Sequence, residues 1–430
     1  MSLLLFEGPA GSGKTTELIG KLASVLQERP LGAHERVLAI TKMHGSRRRL
    51  RERLTTVSGL GYQFECLTAD SFAWRIVNRW RSLGRIRFGE DADFGDYWEV
   101  CRRAGILLNE PVVACWVGRT FPIVIIDEMQ DSKEGQLLMI QGLSTAAICV
   151  AAADYYQDLD SDGPNPAVIW AREHGEVVTL TQMRRTKAAG LLEAAKLIRA
   201  GQSVPWKGRG FTILGAHGHS DGAKYVSQNL SWWKAREYRD VAIISPVHAQ
   251  SALFVQNLIH RVEEGPIGKE QKFGPHKIPW ETSQEEEEGR FLSQLNLPDD
   301  PEAMMRASDL VLPAGLAISS AVVAWLDRQR RVAGITTFSV EGLRNQICRI
   351  YQRARAFRMT TGHGVRAMTI HQAKNREFDA VIVLWPYQVT GSSERLRRLL
   401  YNAITRAKRE ALVIVQNPDR IQRPPFMSDT

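Results

Sequence analysis

Residues 8–15 read Gly8-Pro9-Ala10-Gly11-Ser12-Gly13-Lys14-Thr15, directly after the apolar run Leu3–Phe6 and directly before the helical pattern Thr16–Gln27. The stretch matches GxxxxGK[ST], and it sits in the strand–loop–helix setting that the chemistry of a phosphate loop requires. Glycines let backbone N–H groups curl around phosphate oxygens at a helix N-terminus. Lys14 reaches the β- and γ-phosphates and the Thr15 hydroxyl is placed for magnesium. Gly8, Pro9, Ala10, Gly11, Ser12, Gly13, Lys14, Thr15 and Thr16 are therefore expected to hold a nucleotide triphosphate.

Working outward, short β-branched and aliphatic runs alternate with helical patterns: Val37–Ile40, Ile123–Ile126, Ile148–Ala152 and Val177–Leu180. That alternation predicts a parallel sheet with helices on both faces. After a composition change near residues 201–210 the pattern returns in Val241–Ser245, Ala367–Ile370, Ala380–Leu384 and Ala411–Val415, which predicts a second α/β domain. The expected division is a first domain over 1–205 with a short insertion near 75–119, a second domain over 206–262 and 364–430, and an insertion over 263–363. Glu302–Arg358 reads as helical, and the run Glu285–Glu288 as a solvated loop or helix face.

The formal net charge is +9 with a pI near 9.4, which favours a polyanionic partner, nucleic acid first. The five cysteines are odd in number and scattered, with no CxxC or Cys/His cluster, so neither a disulfide framework nor a zinc site is expected. No apolar stretch approaches the roughly 20 residues needed to cross a bilayer. A cytoplasmic protein without a membrane partner is the expectation.

Further along, Ile123-Val124-Ile125-Ile126 leads into Asp127-Glu128-Met129-Gln130-Asp131, an apolar strand delivering two carboxylates at its C-terminal end. Open α/β sheets bind ligands there. Asp127 suits magnesium, and Glu128 suits orienting or deprotonating the attacking water. This DEMQD segment resembles the DExQD box of the UvrD/Rep-like superfamily 1 DNA helicases and translocases, whose motor is two RecA-like domains closing on ATP. Other boxes of that family follow in order as far as Arg409. Ala153-Asp154-Tyr155-Tyr156-Gln157 resembles GDxxQ, which implies that Gln157 senses the γ-phosphate. Leu180-Thr181-Gln182-Met183-Arg184-Arg185-Thr186 resembles LxxNYRS, which implies a γ-phosphate contact for Arg185. Thr369-Ile370-His371-Gln372-Ala373-Lys374-Asn375-Arg376-Glu377-Phe378-Asp379 resembles TxHxAKGLEFD, so Glu377 is expected on the ribose. Arg398–Lys408 resembles RLLYVAxTRAK, with Arg406 as a second arginine on the γ-phosphate. Arginine fits these roles because its planar fork stays charged and grips phosphate oxygens bidentately.

The resemblance also implies a single-stranded DNA track, with Thr41, Phe72, Thr369 and His371 at matching positions. Around the first two lie Lys42–Arg53, with six basic residues against one acid, and Ser71–Phe88, with five arginines, Trp74, Trp80 and no acid. Such interleaving suits phosphate contacts and base stacking, although the tryptophans equally suit the core of a small helical insert. Four departures stand out: Asp160 replaces the aromatic of GDxxQSxY, Arg184 the adenine-stacking tyrosine, Asn375-Arg376 the Gly-Leu of KGLE, and the insertions are short. The early start of the loop leaves no room for the family's adenine-reading glutamine. With the tyrosine lost as well, relaxed base choice is expected, unless Arg184, which can also lie on an aromatic face, takes over the base. The leading expectation is thus an ATP- and magnesium-dependent motor on single-stranded DNA. The alternative is a regulatory ATPase that senses DNA ends beside a separate nuclease subunit in antiphage defence, since little chain follows the last strand to hold a nuclease of its own.

Overall fold

A computed structural model of the protein describes residues 2–42, 44–89, 97–159, 165–182, 186–248, 251–268, 270–281, 284–357 and 364–428. By contacts the chain forms one unit of Met1–Trp280 with His363–Thr430 and another of Glu281–Gly362.

The larger unit holds two sheets. The first contains β1 (Ser2–Glu7), β2 (Val37–Thr41), β3 (Phe64–Thr68), β4 (Ile123–Ile126), β5 (Ile148–Ala153) and β6 (Glu176–Thr179), in the order β3-β2-β4-β5-β1-β6 with every pairing parallel. The second starts with β7 (Lys207–Gly208), β8 (Phe211–Ala216) and β9 (Asp240–Ser245). Past the smaller unit and its hairpin of β10 (Met304–Arg306) and β11 (Thr337–Ser339), it continues with β12 (Gly364–Thr369), β13 (Phe378–Trp385) and β14 (Ala407–Gln416). Its order is β12-β9-β13-β14-β8-β7, parallel except for the short antiparallel β7.

Parallel strands need covering on both faces, which explains their nearly unbroken apolar sequences. In the first sheet Leu5, Leu38 and Val124 face one helical layer, while Phe6, Val37, Ile125 and Val150 face the other. In the second, Ile244, Val383 and Val413 face one layer and Ile243, Ile382 and Leu412 the opposite one. The expected α/β class with two RecA-like sheets is what the chain adopts. One core runs between the halves: Ala10, Tyr156 and Leu159 share it with Leu191, Ile198, Phe211 and Tyr401.

The strand order decides where the chemistry falls. Because β4, β5 and β1 are adjacent at the centre, the segments leaving their C-terminal ends are brought together, and these are the carboxylate pair, the Asp154–Gln157 box and the phosphate loop.

The smaller unit is less helical than its sequence suggests. Its two long helices, Ala317–Ala333 and Val340–Phe357, pack through Ile318, Val322, Ile347 and Ile350, but the β10–β11 hairpin interrupts the expected helical run. Glu287, from the acidic run, accepts a hydrogen bond from the Tyr351 hydroxyl at 3.2 Å. Among the described residues no helix is long and apolar enough to cross a membrane.

Candidate nucleotide-binding site

The phosphate loop turns from β1 into helix Lys14–Glu28, with Gly11 at φ 76° and Gly13 at φ 89°. Side chains avoid that region, so these two positions need glycine. Gly8 is required for space instead: a Cβ there would lie 2.5 Å from the Leu180 carbonyl oxygen. The Lys14 ammonium donates to the carbonyls of Gly8 and Pro9 at 2.9 and 3.0 Å and stands 3.9 Å from Asp154. It is thus parked on the loop it serves.

Asp127 leaves the end of β4 almost buried. Burial, then the Glu128 charge, push its carboxyl up to about 7 against the pull of Lys14. Glu128 adopts a left-handed backbone, φ 59° and ψ 47°, uncommon outside glycine and of a kind that clusters at functional sites. Gln130, with no exposed surface, ties the box together: its amide donates to Glu128 Oε2 at 2.5 Å, and its carbonyl accepts from the Asp154 N–H at 2.9 Å. Asp131 accepts a hydrogen bond from the Lys374 ammonium of the second half. Burial nevertheless outweighs that ammonium and raises the Asp131 carboxyl above its ordinary value.

Asp154 is the hub beside the loop. It accepts from Arg199 at 2.6 Å, Gln157 at 3.0 Å, the Tyr156 N–H at 3.2 Å and the Tyr401 hydroxyl at 3.3 Å. Burial works against its charge, but Lys14 and Arg199 prevail and hold the carboxyl below its ordinary value. Gln157 in turn accepts from Arg406 at 3.3 Å, and Arg406 Nε donates to the Asn402 carbonyl at 3.0 Å.

Lys14, Thr15, Asp127, Glu128 and Gln157 line a cavity of about 410 Å³ from the first half, and Asn375, Glu377 and Arg406 line it from the second. Arg49 and Arg53 also face it, from helix His44–Leu54. Thr15 with Asp127 offers one hydroxyl and one nearly buried carboxylate. That donor set fits magnesium, which keeps several waters and takes the rest of its shell from phosphate oxygens.

Residues 364–414, from β12 into β14, match the family model described as the UvrD-like helicase C-terminal domain. This segment, part of the second sheet, is therefore similar to the C-terminal domain of UvrD-like helicases. Among curated proteins no match was found.

The residues named for a strand track are differently placed. Phe72 has no exposed surface and meets Phe121 edge-on, with ring centroids 6.2 Å apart. A base cannot stack on it as it stands. Thr41 is buried at the end of β2. The Thr369 hydroxyl caps helix Ile370–Ala373 by accepting from the Gln372 N–H, while the His371 side chain is exposed. Trp74 and Trp80 pack on the first core, Trp80 edge-on to Trp116 at 6.3 Å. Three arginines of the basic run have partners within the chain while keeping part of their surface exposed. Arg75 pairs with Glu65, Arg79 covers the Trp116 ring at 4.6 Å, and Arg87 lies 3.6 Å from Glu110. Arg184, Arg185 and Asp160 lie outside the described residues.

One departure from the family pattern is resolved by the backbone. Asn375, standing where the family has glycine, adopts φ 61°, and asparagine is among the few residues that enter this region readily. Sequence reasoning missed Arg49, Arg53, Gln130, Asp154, Lys374 and Tyr401 as site residues.

Proposed function

We propose that the protein is an ATP-hydrolysing motor acting on single-stranded DNA, a helicase or translocase of compact form. The observation that carries this reading is the Arg406–Gln157 contact inside a pocket lined by both halves. An arginine held by a residue beside the phosphate loop supports a γ-phosphate contact made only when the halves are together.

In this reading the phosphate-loop amides and Lys14 bind the β- and γ-phosphates. Lys14 leaves the Gly8 and Pro9 carbonyls to do so. Thr15 and Asp127 hold magnesium, which when bound neutralises phosphate charge. Glu128, fixed by Gln130, orients the attacking water, and Gln157 and Arg406 stabilise charge developing on the γ-phosphoryl group. Arg185 joins them, and Glu377 takes the ribose. Closing and opening of the halves then advances the strand.

Supporting features are the family match, the net charge of +9 and the shared core between the halves. The test is phosphate release from purified protein with and without single-stranded DNA, with ATP and GTP compared in the same assay. Stimulation by DNA of about tenfold or more is expected, as is turnover of both nucleotides. Turnover indifferent to DNA would remove the motor reading.

A further inference from the structure

Tyr401 lies on helix Ser393–Ile404, in the same box as Arg406, and has no exposed surface. Its hydroxyl oxygen accepts from the Ala10 N–H of the phosphate loop at 2.7 Å, and its proton is donated to Asp154 Oδ2 at 3.3 Å. A hydroxyl has one proton and two acceptor positions, so the two bonds coexist. The charge kept on Asp154 by Lys14 and Arg199 fixes their direction: the proton points to the carboxylate and the lone pairs to the loop. Burial pushes the phenol pKa up, so the proton stays.

The ring itself is clamped. It meets Tyr156 edge-on at 5.1 Å, and the neighbouring Asn402 donates to the Tyr156 carbonyl at 3.1 Å. The loop has weaker ties of its own near this point, namely Gly8 N–H to Ala153 at 3.3 Å and Ser12 N–H to Pro9 at 3.2 Å. The 2.7 Å bond from the second half is the shortest of the three.

We propose that Tyr401 is a positioning residue for the phosphate loop, holding it from the opposite half through Ala10 so that the helix delivering Arg406 also sets the loop's shape. The proposal rests on the nucleotide-hydrolysis reading above and deepens it. Without the hydroxyl, the Ala10 N–H is a buried donor lacking its partner, and Asp154 is one donor short with the Lys14 ammonium 3.9 Å away. Lys14 is then drawn toward Asp154 and away from the phosphates.

Tyr401→Phe keeps the ring packing and removes only the hydroxyl. In nucleotide-free protein, hydrogen exchange of a peptide covering Gly8–Gly13 should quicken by about tenfold, with a peptide over β9 unchanged. Steady-state kcat/KM for ATP should fall about tenfold, chiefly through KM, because the loop grips the phosphates in ground and transition states alike. Unchanged loop exchange with unchanged KM overturns the proposal, and so does faster exchange spread equally over β9, which would make Tyr401 a packing residue. Should the variant fail to fold, Asp154→Asn removes the charge that orients the hydroxyl, and local quickening of the same loop peptide is expected; unaltered exchange there overturns the proposal. Failure of the wild-type protein to hydrolyse ATP would sink the hydrolysis reading alone, since the exchange comparison is made without nucleotide.

Discussion

The candidate nucleotide pocket and the loops expected to follow a DNA strand leave the same edges of the same sheets, yet their named residues are used in different ways. In the pocket, Lys14, Asp127, Glu128, Gln157 and Arg406 converge on one cavity. Along the expected track, Phe72 is core, Thr369 is a helix cap and Thr41 is buried. The two proposed ligands would make different demands. A triphosphate concentrates charge in a small volume and must be met by charged side chains at fixed positions. A polymer can be gripped by backbone amides and helix termini spread over a long path, which frees the side chains at those positions to stabilise the loops. Thr68 likewise spends its hydroxyl on capping helix Ala69–Arg79, and Phe72 lies on the buried face of that helix.

The strongest test of the contrast removes charge from the pocket. Lys14→Ala, Glu128→Gln and Arg406→Ala should each lower ATP turnover by about a hundredfold or more. Near-normal phosphate release from any of them would break that residue's assignment. Phe72→Ala addresses the other side. It should cost about 3–5 kcal/mol of stability in denaturant titration, while DNA affinity of the folded fraction stays level. A selective loss of DNA affinity without loss of stability would put Phe72 back on the track. The smallest effect is expected at Asn375. Replacement by Ala should cost about 1 kcal/mol through the left-handed backbone, whereas Gly should be tolerated, and thermal melts of the two variants decide it.

Most of the first sheet was readable from sequence because a parallel strand buried on both faces has little freedom in composition. Ile123–Ile126 is the plainest case, matched by β4 residue for residue. Strand β3, Phe-Glu-Cys-Leu-Thr, escaped because it lies at an edge with a charged residue inside it, and β8 because its Gly215 breaks an already short run. The β10–β11 hairpin was hidden by its length, three residues a strand.

At the site, residues that contiguous boxes name were legible, while those that converge from afar were not. Arg49 and Arg53 were read as part of a basic patch because charge composition carries no direction. Only the helix His44–Leu54 shows that two of its arginines turn to the cavity. The Tyr401–Ala10 bond joins positions 391 residues apart, a separation at which local pattern is silent.

The edge of the second sheet has a practical consequence. Trp280 bridges Ala367 in parallel, and the Pro279 carbonyl accepts from the Ala367 N–H at 2.9 Å, so the larger unit's two chain segments meet at β12. Gly364 lies three residues upstream on that strand, about 10 Å away at the usual rise per residue. A linker of about five residues would therefore reconnect the chain after excision of residues 281–363. Residues 281–363 can thus be replaced by a short linker, and the larger unit closed, without re-registering a strand.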